Sequence, residues 1–213
     1  MNLLILILAV GMWLTTFAPA QATNQSTQTR RVKGQVLTST YLPSIRLRFD
    51  KRFKYVGSQK FTLYDRAQAE QYFFVDADNQ RRLKRMYMVQ FEGYLPNINA
   101  TYNYSATETV VIGSEPYIVN FETVPNVSAA LKPNPESDAA RAVSFLESKG
   151  YPLSESIMFQ RFVRVVDEAK RNELILLYVE VADSFASTRT AAEKDTARQE
   201  FQKRALNGFT VLK

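Results

Sequence analysis

The fold of this chain is decided by the stretch RRLKRMYMVQFEGYL at residues 81–95. Its side chains alternate with the period of two that is typical of a β-strand. The odd-numbered positions make one face, which is mainly apolar and consists of Leu83, Arg85, Tyr87, Val89 and Phe91. The even-numbered positions make a second face, which begins apolar and ends polar: Met86, Met88, Gln90, Glu92 and Tyr94.

The even-numbered face has two interpretations. Methionine fills irregular gaps, and a mostly apolar face with a few polar groups is typical of a ligand pocket on a curved sheet. A later hairpin adds two side chains to the candidate ligand-binding set, which becomes Met86, Met88, Gln90, Glu92, Tyr94, Arg161 and Glu180. If Glu92 is buried there, we expect an arginine as its partner, because an unpaired buried charge is too costly. In the alternative, a helix covers the methionine end and solvent takes the polar end.

The rest of the chain predicts an α+β fold. Pairs of strand-like runs separated by turn residues predict three β-hairpins, at residues 70–95, 108–124 and 157–183. Apolar residues at helical spacing, with Ser137 as N-cap, predict a helix at residues 135–150, and a charged helix follows at 190–208. This order predicts a mainly antiparallel sheet built from three hairpins, with one helix between the second and third hairpins and a C-terminal helix.

Shorter patterns predict local features. The run VKGQVLTST, residues 32–40, is typical of a strand, and Gly57 indicates a bend or bulge in another. Asp65 to Gln68 has the capping pattern of a helical turn. The run from Leu174 to Val181 is apolar on both faces, which predicts a central strand covered on both sides.

The N-terminal stretch MNLLILILAVGMWLTTFAPAQA predicts export. An apolar run precedes Ala20-Gln21-Ala22, a small-x-small motif typical of a signal-peptide cleavage site. Kept uncleaved, the run would be an anchor, but it is shorter than the roughly 20 residues that a spanning helix needs. We expect a periplasmic or extracellular protein whose mature chain has no transmembrane segment. The predicted parts are a signal peptide at residues 1–22, a flexible lead-in at 23–31 and one α+β domain at 32–213.

Positive charge is concentrated in the first half of the chain. Residues 30–85 carry 14 Lys and Arg against 5 Asp and Glu, whereas residues 86–213 carry 13 against 16. A basic patch stands at a predicted hairpin and consists of Arg81, Arg82, Lys84 and Arg85. Such charge can attract an anionic surface, so a peripheral protein held on that surface is one predicted function. In the alternative, these residues form the solvated faces of strands. We expect no nucleic-acid partner.

The composition excludes several catalytic chemistries. The 213 residues contain no His and no Cys, which removes Ser-His-Asp and Cys-His pairs and imidazole or thiolate metal sites. We expect no cofactor, no metal and no catalytic residue, and the sequence favours a protein that is not an enzyme. Two carboxylates suffice for glycoside hydrolysis. A carboxylate-based hydrolase using two of Glu92, Glu122 and Glu180 is therefore the remaining enzymatic alternative.

Four stretches of the sequence carry a resemblance. They are YVGSQKFTLYDRAQAEQYFFVDAD (55–78), RLKRMYMVQFEGYLPNINATYNYS (82–105), AARAVSFLESKGY (139–151) and FQRFVRVVDEAKRNELILLYVE (159–180). Together they resemble a family of bacterial exported proteins to which no activity is assigned. The resemblance implies a bacterial protein that bears a signal peptide, and it implies no site residues.

These observations predict an exported soluble domain that binds a partner without catalysis. The partner is a small molecule held in a pocket or groove on a curved antiparallel sheet, or else an anionic surface contacted by the basic half.

Overall fold

The chain forms more strand than helix. The structure, a computed structural model, describes residues 29–105, 108–153, 156–182 and 191–213. The strands in this part of the chain are β1 (Arg30–Lys33), β2 (Val36–Thr40), β3 (Ser44–Phe49), β4 (Lys54–Leu63), β5 (Ala67–Ala77), β6 (Leu83–Tyr94), β7 (Thr109–Ile112), β8 (Glu115–Val124), β9 (Ile157–Val165), β10 (Asn172–Val181) and β11 (Phe209–Val211). The helices are α1 (Val127–Leu131), α2 (Asp138–Ser148) and α3 (Ala191–Asn207).

The larger of the two antiparallel sheets in the described residues is covered on one face by the smaller sheet and α3 and on the other by α1 and α2. Among the described residues it has seven strands, in the order β4-β5-β6-β10-β9-β8-β7. Its central strand β10 is covered on both sides, because Leu174 and Leu176 are buried in one core and Val179 is buried in the other. The prediction of a central strand buried on both faces is confirmed.

The smaller sheet covers one face of the larger one. Its order is β1-β2-β3-β11 in the described residues. The alternation of β3 directs Leu47 and Phe49 inward, while Arg46 and Arg48 are exposed. The ring of Phe49 stacks on Phe74 of β5 with 4.0 Å between centroids, which joins the two sheets.

Helix α3 completes this covered face. Its thin apolar stripe, Phe201 and Ala205, is buried against the larger sheet. The hydroxyl of Tyr87 on β6 donates to the carbonyl of Ala205 at 2.7 Å. A Cβ at Gly208 would lie 2.0 Å from that hydroxyl oxygen, so the close approach of the helix end to β6 requires glycine.

Helices α1 and α2 cover the opposite face. The side chains of Asn126 and Ser137 accept from backbone N–H groups in the first turns of α1 and α2, as N-caps do. Ala142 and Leu146 of α2 are buried on the larger sheet. Gly150 follows the helix with φ +77°, which agrees with the predicted helix end.

The predicted α+β class with mainly antiparallel sheets is confirmed. The arrangement is richer than three hairpins, because the larger sheet also contains β4, and a separate four-stranded sheet is present in the described residues. Two helices, α1 and α2, lie between the second and third predicted hairpins, where one was expected. The short strand β11 follows the C-terminal helix and pairs with β3.

Two local predictions are wrong and one is confirmed. Tyr64 and Asp65 have φ of +50° and +54°, so this segment is a tight turn between β4 and β5 instead of a helical turn. The run at residues 32–40 is divided by a turn at Gly34, which has φ +58°. The predicted bulge at Gly57 is confirmed by a register shift there.

Some predictions lie at or beyond the limits of the described residues. The predicted signal peptide at residues 1–22 is outside them, and β1 begins at Arg30, within the segment predicted as a lead-in. None of the helices that the structure describes is both long and apolar enough to span a membrane.

Candidate functional site

The alternation of β6 divides its side chains between two cores. Tyr87 and Val89 face the smaller sheet and α3, whereas Met86 and Met88 face α1 and α2. Both methionines are buried, with 3% and 4% of their surface exposed. The methionine end of the predicted face is therefore covered by helices, as the alternative interpretation expects, but the packing beneath them is incomplete.

A cavity of about 260 Å³ lies between these helices and the larger sheet. Apart from Asp138 and Arg161, its wall is apolar. The sheet and helix α2 contribute most of the wall, including Met86, Met88, Leu177, Val179, Ala142 and Leu146. Ala130 and Ala139, which also line the cavity, are exposed and stand at its rim.

The bulge at Gly57 lets α2 approach the sheet. A Cβ at Gly57 would lie 2.9 Å from Cζ of Phe145, and the φ of +134° is unfavourable for other residues. Phe145 stacks on Phe73 of β5 with 4.6 Å between ring centroids. The helix is thus fixed over one side of the cavity by a ring stack that needs a glycine beside it.

Three glutamines form a hydrogen-bonded ladder at the polar end of the same face. Gln59, Gln71 and Gln90 are directly opposite one another on β4, β5 and β6. Each amide donates to the next at 2.6 Å, from Gln59 to Gln71 and from Gln71 to Gln90. The Gln90 amide then donates to carboxyl oxygens of Glu92 at 2.7 Å and Asp138 at 3.2 Å. The ladder therefore connects the sheet to the first turn of α2.

Two carboxyl groups stand beside this ladder, of which Glu92 is half-buried and Glu173 is buried. Glu92 and Glu173 are cross-strand partners on β6 and β10. The hydroxyl of Tyr102 donates to Glu92 at 2.8 Å, and that of Tyr104 donates to Glu173 at 2.5 Å. Burial raises the pKa of Glu173 to about 7; Glu92 adds to this effect, while the hydrogen bond from Tyr104 and the charge of Arg161 oppose it. Burial also raises the pKa of Glu92.

Arg161 is the cation of the cavity wall. It lies on β9, directly opposite Leu177 of β10 and Asn120 of β8. Its Nη2 donates to the Asn120 side-chain oxygen at 3.4 Å, and its Nε is buried with no hydrogen-bond partner in the structure. Among the described residues, no carboxylate lies within ion-pair distance of Arg161.

The structure brings most of the predicted ligand-binding residues together. Met86, Met88 and Arg161 line the cavity, and Gln90 and Glu92 belong to the polar network at its end.

Two predicted residues stand apart from the cavity. Tyr94 stacks on Tyr102 with 4.5 Å between centroids and lines a separate polar groove. Glu180 lies on the opposite face of the sheet, where it accepts from Tyr178 and pairs with Arg204 of α3 at 2.8 Å.

The expectation of an arginine partner for Glu92 is wrong. Its carboxyl group accepts hydrogen bonds from Gln90 and from Tyr102 instead. The physical reason is that two neutral donors reach both oxygens, so the group is satisfied without a second buried charge.

Sequence reasoning missed six polar residues of the site: Gln59, Gln71, Asp138, Glu173, Tyr102 and Tyr104. Gln71 could have been found, because it shares its strand face with the apolar residues Ala69, Phe73 and Val75. Asp138 and Glu173 occupy the beginnings of a helix and a strand, where carboxylates are usually solvated. Tyr104 lies beyond the end of β6, where no periodic pattern predicts its position, and its hydroxyl contacts Glu173.

The basic patch is partly neutralised. Arg82 pairs with Asp78 at 2.6 Å, and Arg85 pairs with Asp76 at 2.9 Å. Arg81 donates to the backbone carbonyl that follows α2, and Lys84 is exposed. The four residues therefore present less free positive charge than their number suggests.

Comparison with known proteins gives no match: no protein-family model, no curated protein and no solved structure is similar to this chain at a significant level. Within the described residues, no group of three or more His, Cys, Asp or Glu side chains could hold a metal ion. The function is therefore inferred from the chain's own residues, and the cavity with its polar end is the feature on which the inference rests.

Proposed function

We propose that this chain is a non-catalytic binding protein that holds one small, mainly apolar molecule in the cavity beneath α2. The observation that carries the proposal is the cavity of about 260 Å³ with an apolar wall and two charged groups, Asp138 and Arg161. Ligand pockets typically combine an apolar lining with a few polar groups that fix orientation.

The size of the cavity and its apolar lining support a binding role, and the exposed residues Ala130 and Ala139 at its rim leave an entrance. An apolar cavity of roughly 150 Å³ already stays dry and binds benzene. The cavity here is larger, at about 260 Å³, and it comes close to the roughly 300 Å³ at which small-molecule pockets begin.

We also propose that the protein is exported, on the strength of the sequence Ala20-Gln21-Ala22 after an apolar run. The intact mass of the exported protein should match a chain that begins at Thr23. Recovery of the full-length chain in the membrane fraction would contradict export and favour an anchor.

The binding proposal is tested with the neutral dye N-phenyl-1-naphthylamine, whose fluorescence rises in apolar surroundings. We expect a saturable increase with one dye bound per chain. Met88→Trp and, independently, Ala142→Leu place extra volume in the cavity and should abolish the increase. Val111→Trp is the matched control, because Val111 is 69% exposed on an outer strand and its replacement should leave dye binding unchanged.

Two results would contradict the binding proposal. The first is the absence of a saturable signal with the wild-type chain. The second is unchanged dye binding in both cavity-filling variants when circular dichroism shows them to be folded.

The two alternative functions have weaker support. Attachment to an anionic surface would use the basic patch, in which Arg82 and Arg85 already have carboxylate partners. A carboxylate-based hydrolase could use the adjacent Glu92 and Glu173. That pair is covered by Tyr102 and Tyr104, and only 3% of Glu173 is exposed, which leaves little room for a sugar.

A further inference from the structure

We propose that the ligand is an amphipathic carboxylate, whose alkyl part fills the cavity and whose head group pairs with Arg161. This inference rests on the proposed function and deepens it by naming the chemical class of the ligand.

The first argument is that the Nε–H group of Arg161 lacks an acceptor. Its Nε is buried without a hydrogen-bond partner, and its contact with Asn120 is long, at 3.4 Å. A buried donor that is left unsatisfied is costly, the more so when it is charged. The planar guanidinium offers parallel N–H groups that match the two oxygens of a carboxylate. A carboxylate in the cavity would supply the missing acceptor.

The second argument is that the acidic groups already have donors. Glu92 accepts from Tyr102 and Gln90, and Glu173 accepts from Tyr104. Asp138 accepts from Gln90 and from the backbone N–H of the next residue. The unmet requirement of this site is therefore an acceptor, and a carboxylate head group meets it better than an ammonium group does.

The third argument concerns the electrostatic repulsion between Glu173 and the ligand. Tyr104 donates to Glu173, Glu92 lies opposite it on β6, and the charges of Arg161 on β9 and Asp138 on α2 also act on it. When Glu173 is ionised, its negative charge repels a bound carboxylate. Its pKa of about 7 means that it gains a proton as the pH falls from 8 to 6. An alkyl carboxyl group ionises near pH 4.3, so the ligand keeps its charge over this interval. Binding should therefore strengthen as the pH falls.

The experiment is calorimetric titration of the wild-type chain with decanoate, decan-1-ol and decylamine at pH 6. These probes share an alkyl chain and differ in head group, and each is used below the concentration at which it aggregates. We expect decanoate to bind at least tenfold more tightly than decanol, and decylamine to bind most weakly. Tighter binding of decylamine, or equal affinities for all three compounds, would overturn the carboxylate assignment.

Variants locate the head group. Arg161→Gln should weaken decanoate binding on the order of tenfold or more and should weaken decanol binding much less. Arg164→Gln is the matched control, because Arg164 is on the same strand but pairs with Glu115 at 2.8 Å. Equal loss of decanoate in both variants, or no loss in either, would overturn the role of Arg161.

The pH arm uses Glu173→Gln, which removes the titrating charge. Wild-type affinity for decanoate should rise on the order of tenfold from pH 8 to pH 6, whereas the variant should bind equally well at both. Affinity that stays constant or falls on acidification would overturn the proposed repulsion between Glu173 and the ligand. Dye binding without selective decanoate binding would refute only the carboxylate assignment. Failure of the dye and all three probes would refute the proposed function as well.

Discussion

Among the described carboxyl groups, Glu173 is the one whose ionisation is most strongly opposed by burial. Its pKa is raised from 4.5 to about 7, chiefly by burial. The folded chain thus binds this proton more tightly than the unfolded chain does. The stabilisation from this proton is fully present below about pH 4.5 and is lost as the pH rises through about 7.

Glu173→Gln should therefore stabilise the protein at pH 8. The variant replaces the charged group by a neutral one that still accepts from Tyr104, and the raised pKa corresponds to a gain of roughly 3 kcal/mol. The gain should shrink towards zero near pH 4. Urea denaturation from pH 4 to pH 8 measures this dependence, with the exposed Glu168→Gln as control. Equal pH dependence in Glu173→Gln and wild type would contradict the assigned pKa.

At the scale of residues, part of the site was predictable from the sequence. Period two on β6 correctly placed Met86 and Met88 on one face, because alternation within one strand follows from its geometry. It could not place Glu180 relative to Arg161, because these residues lie on different strands. The register pairs Arg161 with Leu177, so Glu180 faces the other way. A register shifted by one residue between β9 and β10 would instead have placed Glu180 on the same face as Arg161.

At the scale of elements, the glutamine ladder fastens α2 to the sheet. The amide of Gln71 donates both to Gln90 and to the backbone carbonyl of Asp138, at 2.6 and 3.2 Å. The amide of Gln59 donates to the carbonyl of Arg141 at 3.1 Å. The first turn of α2 is thus held by side chains of β4 and β5, and the cavity wall depends on this attachment.

Gln71→Ala should loosen α2 more than any other element. The substitution leaves the buried oxygen of Gln90 without its donor, and each such unsatisfied group costs about 1–3 kcal/mol. We expect faster amide hydrogen exchange in α2 and little change in α3. The exposed Gln80→Ala is the control and should resemble wild type. Uniform acceleration in both helices would mean that the ladder stabilises the whole fold instead of this helix.

Elements with strong local patterns were predictable, and elements that depend on distant contacts were not. The capped helix α2 and the central strand β10 were found because their spacing and caps are local. Strand β11 has three residues and exists because it pairs with β3, far away in the sequence. The turn at Tyr64 and Asp65 was mistaken for a helical turn, because its capping pattern is shared by tight turns in which Asp tolerates a positive φ.

At the scale of the whole molecule, the larger sheet is covered on both faces, but the side chains pack more completely on one face than on the other. The face under the smaller sheet and α3 is closed by stacked rings such as Phe49 on Phe74. The face under α1 and α2 leaves a cavity of about 260 Å³. The α+β class follows from the order of strand and helix patterns, whereas this unequal packing depends on side chains that meet only in the folded chain.

The central claim, that the cavity holds a ligand, is tested most directly by the methionines. Carbon-13 methyl labelling reports separately on Met86 and Met88, which line the cavity, and on Met158, which packs against the opposite core. During titration with decanoate, the methyl signals of Met86 and Met88 should shift together and saturate, while that of Met158 stays in place. Unchanged signals from Met86 and Met88 at high decanoate concentration, or shifts confined to Met158, would contradict the claim.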